Sequence, residues 1–132
     1  KMQAALAAVR DWTRAVVFDS AGKVLASTAD FSAADLEVYT NAFNSRDATV
    51  GAGLMISGVN YEVHRFYEDH GLIYGRIPSV DPRDGEGICL ARAKQSSTGQ
   101  TVFALITYKF PNLSSKAVPD LQAFLKEWVE TK

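Results

Sequence analysis

Apolar and polar residues alternate most cleanly over residues 53–66, GLMISGVNYEVHRF. A compact apolar run (Leu54, Met55, Ile56) leads through Ser57-Gly58 into a second segment. There Tyr61, Val63 and Arg65 fall on one side, and Asn60, Glu62, His64 and Phe66 on the other. Period two marks a strand with one face in a core, and Ser-Gly between two apolar runs is hairpin chemistry. The chain is expected to be organised around this hairpin, placed near the middle of a sheet.

The remaining pattern fills in around it. Residues 2–10, MQAALAAVR, are strong helix formers with a narrow stripe of Met2, Leu6 and Val9. Residues 15–18 and 23–27 predict a second hairpin about the turn 19–22. Ser32 can cap a helix that Asp35 supports and Phe31 staples, continuing through Leu36, Tyr39 and Phe43 to about residue 44. Residues 45–52 read as a polar connection. A turn at 68–71 leads to a strand at 72–77, a loop at 78–86, and strands at 88–93 and 101–108. A final helix over 117–129 carries Val118, Leu121, Leu125, Trp128 and Val129, with Pro119 in its first turn. Meandering strands flanked by terminal helices predict an α+β fold. Its central antiparallel sheet should carry the amino- and carboxy-terminal helices on one face and the further helix on the other.

Composition narrows the function classes. With 132 residues, 47% of them hydrophobic, the chain suits a single domain over residues 1–132 with one core. A net charge of −1 provides no basic field, so nucleic-acid binding is not expected. One cysteine, Cys89, excludes an internal disulfide and a multi-cysteine metal site, and its neighbours Ile88 and Leu90 predict a buried, inert thiol. No apolar run approaches the roughly 18 residues that span a bilayer. The alanine-rich amino end lacks the apolar segment and cleavage site of a secretory signal, so a soluble cytoplasmic protein is expected.

No reactive constellation stands out. The acidic loop 81–86 lacks the ligand spacing of a calcium loop. His64 and His70 have no third ligand at zinc-like spacing. The fragments GAG and GEG lack the strand, turn and helix context of nucleotide sites, and no nucleophile elbow is present. Neither an enzyme nor a cofactor is expected.

Taken in order, these segments resemble the profilin family. RAVVFDSAGKVLAST is similar to its first hairpin, FSAADLEVYTNAF to its internal helix, and GLMISGVNYEVHR to its central hairpin. LIYGRI is similar to the next strand, GICLARAK and GQTVFALITY to the last hairpin, and LQAFLKEW to the closing helix. The resemblance implies a cytoplasmic, cytoskeletal protein that binds monomeric actin, proline-rich peptides and phosphoinositide lipids, and acts as a monomer. Carried over residue by residue, the actin surface falls on Asn60, Val63, Arg65, Arg76, Arg92, Lys109, Asn112 and Lys116. Asn60 departs from the lysine common there.

The family's proline-rich site is an aromatic platform between the terminal helices, since rings stack on pyrrolidine faces. Here it maps to Trp12, Leu25, Phe124 and Trp128. The first helix lacks the usual aromatics, Leu25 stands where a tryptophan is usual, and Phe124 replaces a tyrosine or histidine. Weakened or relocated binding is therefore expected. Two further readings stay open. One is a lipid-binding module using Arg65, Arg76, Arg92 and Lys94 against phosphoinositide head groups. The other is a PAS-like or longin-like sensor or trafficking domain, which would need a ligand cavity.

Overall fold

The computed structural model describes residues 1–79, 81 and 83–132. Among these residues seven antiparallel strands form one sheet in the order β2-β1-β7-β6-β5-β4-β3. The strands are β1 Arg14–Asp19, β2 Val24–Ser27, β3 Leu54–Ile56, β4 Val59–Tyr67, β5 Leu72–Arg76, β6 Glu86–Lys94 and β7 Thr101–Lys109. The helices are α1 Met2–Ala7, α2 Ala33–Asn41, α3 Arg46–Ala52 and α4 Ser114–Leu125.

The sheet separates two cores, and β7 feeds both by simple alternation. Ala104, Ile106 and Tyr108 join Leu6 of α1 and Ala117, Leu121 and Leu125 of α4 on one face. Phe103 and Leu105 join Leu36 and Tyr39 of α2, and Phe43 just beyond it, on the other. The terminal helices thus share a face, as their two narrow apolar stripes require. The second core is aromatic: Phe18 stacks on Phe103 at 5.5 Å between centroids, and Tyr39 lies 6.1 Å from Phe18.

Several expectations need correction. The hairpin of β3 and β4 forms as predicted, with positive φ at both Ser57 (50°) and Gly58 (83°), a twist that suits a two-residue turn. It lies at the sheet's edge, however, and β6 and β7 occupy the centre. Central strands are covered on both faces and read as continuous apolar runs, whereas β4 alternates because one of its faces is open. The polar connection at 45–52 is in fact α3. Ser45 accepts a hydrogen bond from the Ala48 amide at 3.2 Å, and the Thr49 hydroxyl donates to the Ala42 carbonyl at 2.6 Å. Ser32 caps α2 through the Asp35 amide at 3.0 Å, as expected, while the Asp35 carboxylate reaches away to accept from the Ser57 amide at 2.9 Å.

The element ends also shift. α1 stops at Ala7, and the chain turns so that Trp12 enters the core. β6 already begins at Glu86, inside the expected loop 78–86. Val80 and Pro82 of that loop lie outside the described residues. The last helix starts at Ser114 and continues as a π turn over Lys126–Glu130, which places Pro119 beyond the first turn, inside the helix.

Candidate functional site

On the face of the terminal helices, α1 packs on β2 and α4 packs on β6 and β7. β4 and β5 flank this cover, and a groove of about 500 Å³ opens beside the start of α4. Arg65 from β4, Tyr74 and Arg76 from β5, Tyr108 from β7 and Phe110, Asn112 and Leu113 from the link to α4 line it. Phe110 and Leu113 are 52% and 48% exposed, large apolar side chains presented to solvent. The groove therefore combines guanidinium groups with exposed apolar side chains, the composition of a protein-binding patch.

A β-bulge builds this arrangement. In the register of β4 with β5, Val63 faces Gly75 and Arg65 faces Tyr74, so His64 is the extra residue. The bulge reverses the alternation. Tyr61 and Val63 point into the second core, Phe66 packs against that same core, and Arg65 emerges on the groove face. Val63 and Arg65 were expected to share a face; the bulge separates them. Gly75 makes the bulge possible, since a Cβ there would lie 1.7 Å from the Glu62 carbonyl oxygen and 3.0 Å from the His64 nitrogen.

Aromatic groups extend the same face. Tyr67 lies 6.0 Å from Tyr74, and burial followed by the neighbouring Tyr67 pushes the Tyr74 phenol up from its ordinary value. Tyr108 hydrogen-bonds through its hydroxyl to Ser114 Oγ at 2.7 Å and fastens the start of α4 to the sheet. Burial raises this phenol to about 12.

Behind the groove, on the opposite face, a polar triad ties β1, β4 and β6 together. Arg14 lies 3.1 Å from Glu86 Oε2 and donates to the Tyr61 hydroxyl at 3.0 Å, and that hydroxyl donates to Glu86 at 2.9 Å. Glu86 is buried, so its charge needs these partners. Burial first, then the bond to Glu86, push the Tyr61 phenol upward, and it remains a neutral donor.

The expected actin residues are only partly gathered here. Arg65, Arg76 and Asn112 line the groove. Val63 is 8% exposed and belongs to the core. Lys116 opens α4 but is held between Asp120 at 2.8 Å and Asp11 at 2.9 Å, and these two carboxylates raise its pKa. Asn60 is exposed on the outer hairpin, and Lys109 is exposed at the end of β7; neither lines the groove. Arg92 sits on the other face of the sheet, 4.3 Å above the Phe43 ring, with Lys94 beyond it on the same strand. The four cations grouped for a lipid head group are thus divided between two faces.

Of the proline-site residues, Trp12, Phe124 and Trp128 converge. Trp12 meets Phe124 edge-on at 5.6 Å, and Phe124 lies 6.3 Å from Trp128. Trp12 and Phe124 are only 7% and 8% exposed, and Trp128 is half-buried. The Trp12 indole N–H has no hydrogen-bond partner among the described residues. Leu25 stands apart, 40% exposed at an irregularity of the β1–β2 register and outside both cores.

Reading by sequence missed Tyr67, Tyr74, Tyr108, Phe110 and Leu113. Phe110 and Leu113 carried a signal: large apolar residues beside Pro111 and Asn112, in a turn that no core pattern claims. Among the described residues, no helix is long and apolar enough to cross a membrane.

The profilin family model matches residues 2–126 of the chain. No curated protein sequence matches. Among solved structures, Schizosaccharomyces pombe profilin has a TM-score of 0.75 at 20% identity, covering 96% of this chain and 95% of that one. Acanthamoeba castellanii profilin II has a TM-score of 0.68 at 18% identity, covering 89% and 84%. LokiProfilin2, solved in complex with rabbit actin, has a TM-score of 0.63 at 14% identity, covering 96% and 91%. At these identities the structural likeness speaks for the fold, and the family match over nearly the whole sequence decides membership: the chain belongs to the profilin family.

Proposed function

We propose that this chain is a single non-enzymatic module that binds monomeric actin through the groove face and so regulates polymerisation. One observation carries the reading. Arg65 and Arg76 come from adjacent strands to stand beside the exposed Phe110 and Leu113. Planar guanidinium groups recognise carboxylates in fixed geometry, while an apolar centre supplies affinity. That combination fits an acidic protein surface better than a small metabolite. A relative of the same fold, LokiProfilin2, forms a complex with actin.

Proline-rich binding is a weaker second activity in this reading. Two of the three converging rings are buried, so Trp128 offers the main accessible aromatic surface. Phosphoinositide recognition by four cations would need one surface, and Arg92 and Lys94 do not share the face of Arg65 and Arg76. The lipid reading therefore reduces to the two arginines that line the actin groove.

An actin assembly assay tests the proposal. The chain should slow spontaneous assembly of actin monomers. Arg65→Glu should weaken binding by about 1–3 kcal/mol through lost pairing and like-charge repulsion, while Arg10→Glu beyond α1 should change nothing. Unaltered assembly in the presence of the wild-type chain, or equal behaviour of the two variants, would overturn it.

A further inference from the structure

A sheet that does not close into a barrel leaves two edge strands, whose outward N–H and C=O groups can template another strand. Both edges of this sheet are occupied by helix side chains, by different means. At β3, α2 supplies one group on the strand and one on its turn: the buried Tyr39 donates its hydroxyl to the Met55 carbonyl, and Asp35 accepts from the amide of Ser57 in the β3–β4 turn at 2.9 Å. At β2, a single exposed side chain does the work. Gln3 Nε2 donates to the Ser27 carbonyl at 2.7 Å, and Gln3 Oε1 accepts from the Ser27 amide at 2.8 Å.

Ser27 faces Val16 in the β1–β2 register, yet both of its backbone polar groups turn outward to Gln3. This is the geometry of a residue awaiting a neighbouring antiparallel strand. The Gln3 carboxamide, one donor and one acceptor on a planar group, stands where a peptide unit of an eighth strand would lie. Beside it, Val24 and Leu25 are 44% and 40% exposed, so the edge also presents apolar side chains. α1, which carries the plug, is six residues long and buries one of them, Leu6.

The geometry points to Gln3 as a strand-edge plug that keeps β2 closed to a second copy of this chain. Without it, two β2 strands would pair antiparallel about a two-fold axis. Each Ser27 would exchange its bonds to Gln3 for bonds to the partner, and the Val24 and Leu25 side chains would be covered. A second copy is the favoured occupant because one short apolar edge then satisfies both sides with no further complementarity required.

Sedimentation equilibrium from micromolar to millimolar concentration, with amide exchange at Ser27, tests this. The wild-type chain should stay monomeric. Gln3→Ala should self-associate at least about tenfold more tightly, since two backbone groups per copy are released. In the associated form the Ser27 amide should exchange slowly. Adding Leu25→Lys, a charge on the edge, should restore the monomer. Gln3→Met keeps the stem and the helix propensity without the two bonds, and is read in the same way should Gln3→Ala loosen α1. The proposal is overturned if both variants stay as monomeric as wild type while Ser27 exchange merely quickens. It is equally overturned if association survives Leu25→Lys, or if the wild-type chain already pairs through Ser27.

Discussion

Val63 and Arg65 stand two positions apart on β4 yet face opposite sides of the sheet, because His64 is inserted between them as a bulge. One residue thus converts a strand that would bury its arginine side into one that exports it. The bulge is matched by Gly75 on β5, where the partner backbone comes too close for any side chain. Bulge and glycine form one unit, and the groove depends on it.

Gly75→Ala should therefore destabilise the fold by about 3 kcal/mol or more, since the new methyl meets backbone that cannot yield. The Cβ would lie 1.7 Å from the Glu62 carbonyl oxygen. Urea unfolding measures the loss, and amide shifts should move first in β4 and β5. A cost within about 0.5 kcal/mol, the range of an ordinary surface change, would show that the bulge is not held by this contact.

The same geometry separates stability from binding. Val63→Ala removes two buried methyl groups and should cost about 1.5–3 kcal/mol of folding free energy. Arg65→Ala should stay within about 0.5 kcal/mol because its head is exposed, and should affect only what the groove binds. Equal unfolding midpoints for the two variants would contradict the opposed faces.

How far this was readable follows from the same residues. Amphipathic period, Ser32 as a cap and Ser-Gly as a turn are local signals, and they located most elements and the shared face of the terminal helices. Alternation in β4 was visible, but a bulge has no local signature: His64 looks like any other position of a period-two strand. The edge position of the hairpin was missed although β4 showed it, since a strand open on one face is unlike the continuous apolar runs of β6 and β7. The short α3 was hidden because seven residues with a glycine carry too little periodicity, and only Ser45 as a cap marked it. In the groove, Arg65 and Arg76 were legible as charges, whereas Phe110 and Leu113 lie in a turn where no periodic argument reaches.

Stability should fall on the alkaline side through buried phenols. Burial raises Tyr108 from 10.0 to about 12, and it also raises Tyr39, Tyr61 and the Cys89 thiol. A raised folded-state value means that the unfolded chain loses its proton first. The Tyr108 contribution is therefore fully present below pH 10 and is lost as pH climbs through about 12. Its share is roughly 2–3 kcal/mol. Tyr108→Phe should flatten the decline over that window. It should cost about 1 kcal/mol near neutrality, where the bond to Ser114 is missing. Urea unfolding across the alkaline range would decide it, an unchanged slope being the contrary outcome.

Proline-rich peptides should bind weakly, with dissociation constants well above micromolar. Each aromatic ring withdrawn from a stacking platform removes roughly 0.5–1.5 kcal/mol, and both Trp12 and Phe124 are buried here. Calorimetry with a decaproline-type peptide gives the test. Micromolar affinity that disappears in Trp128→Ala, with the fold intact, would mean that a full platform has been rebuilt around this residue.

Phe110 and Leu113 should act on actin affinity mainly through dissociation, and the charges of the groove mainly through association. Phe110 and Leu113 are exposed side chains flanked by Arg65 and Arg76, so a partner that covers them removes apolar area from water at the centre of a cationic patch. Central apolar anchors surrounded by polar groups carry most of an interface's energy, whereas rim charges chiefly set encounter rate. Phe110→Ala and Leu113→Ala should each weaken actin binding by about 1–3 kcal/mol with most of the change in dissociation rate. Arg65→Glu should instead act largely on association, and its effect should shrink as salt is added. The control is Val38→Ala on α2, an equally exposed valine on the far side of the sheet, expected to leave binding unchanged. Stopped-flow mixing with labelled actin monomers at two ionic strengths resolves both rates. Should Phe110→Ala leave the dissociation rate untouched while Val38→Ala raises it, the partner sits on the helix-covered face of α2 and the groove has another use.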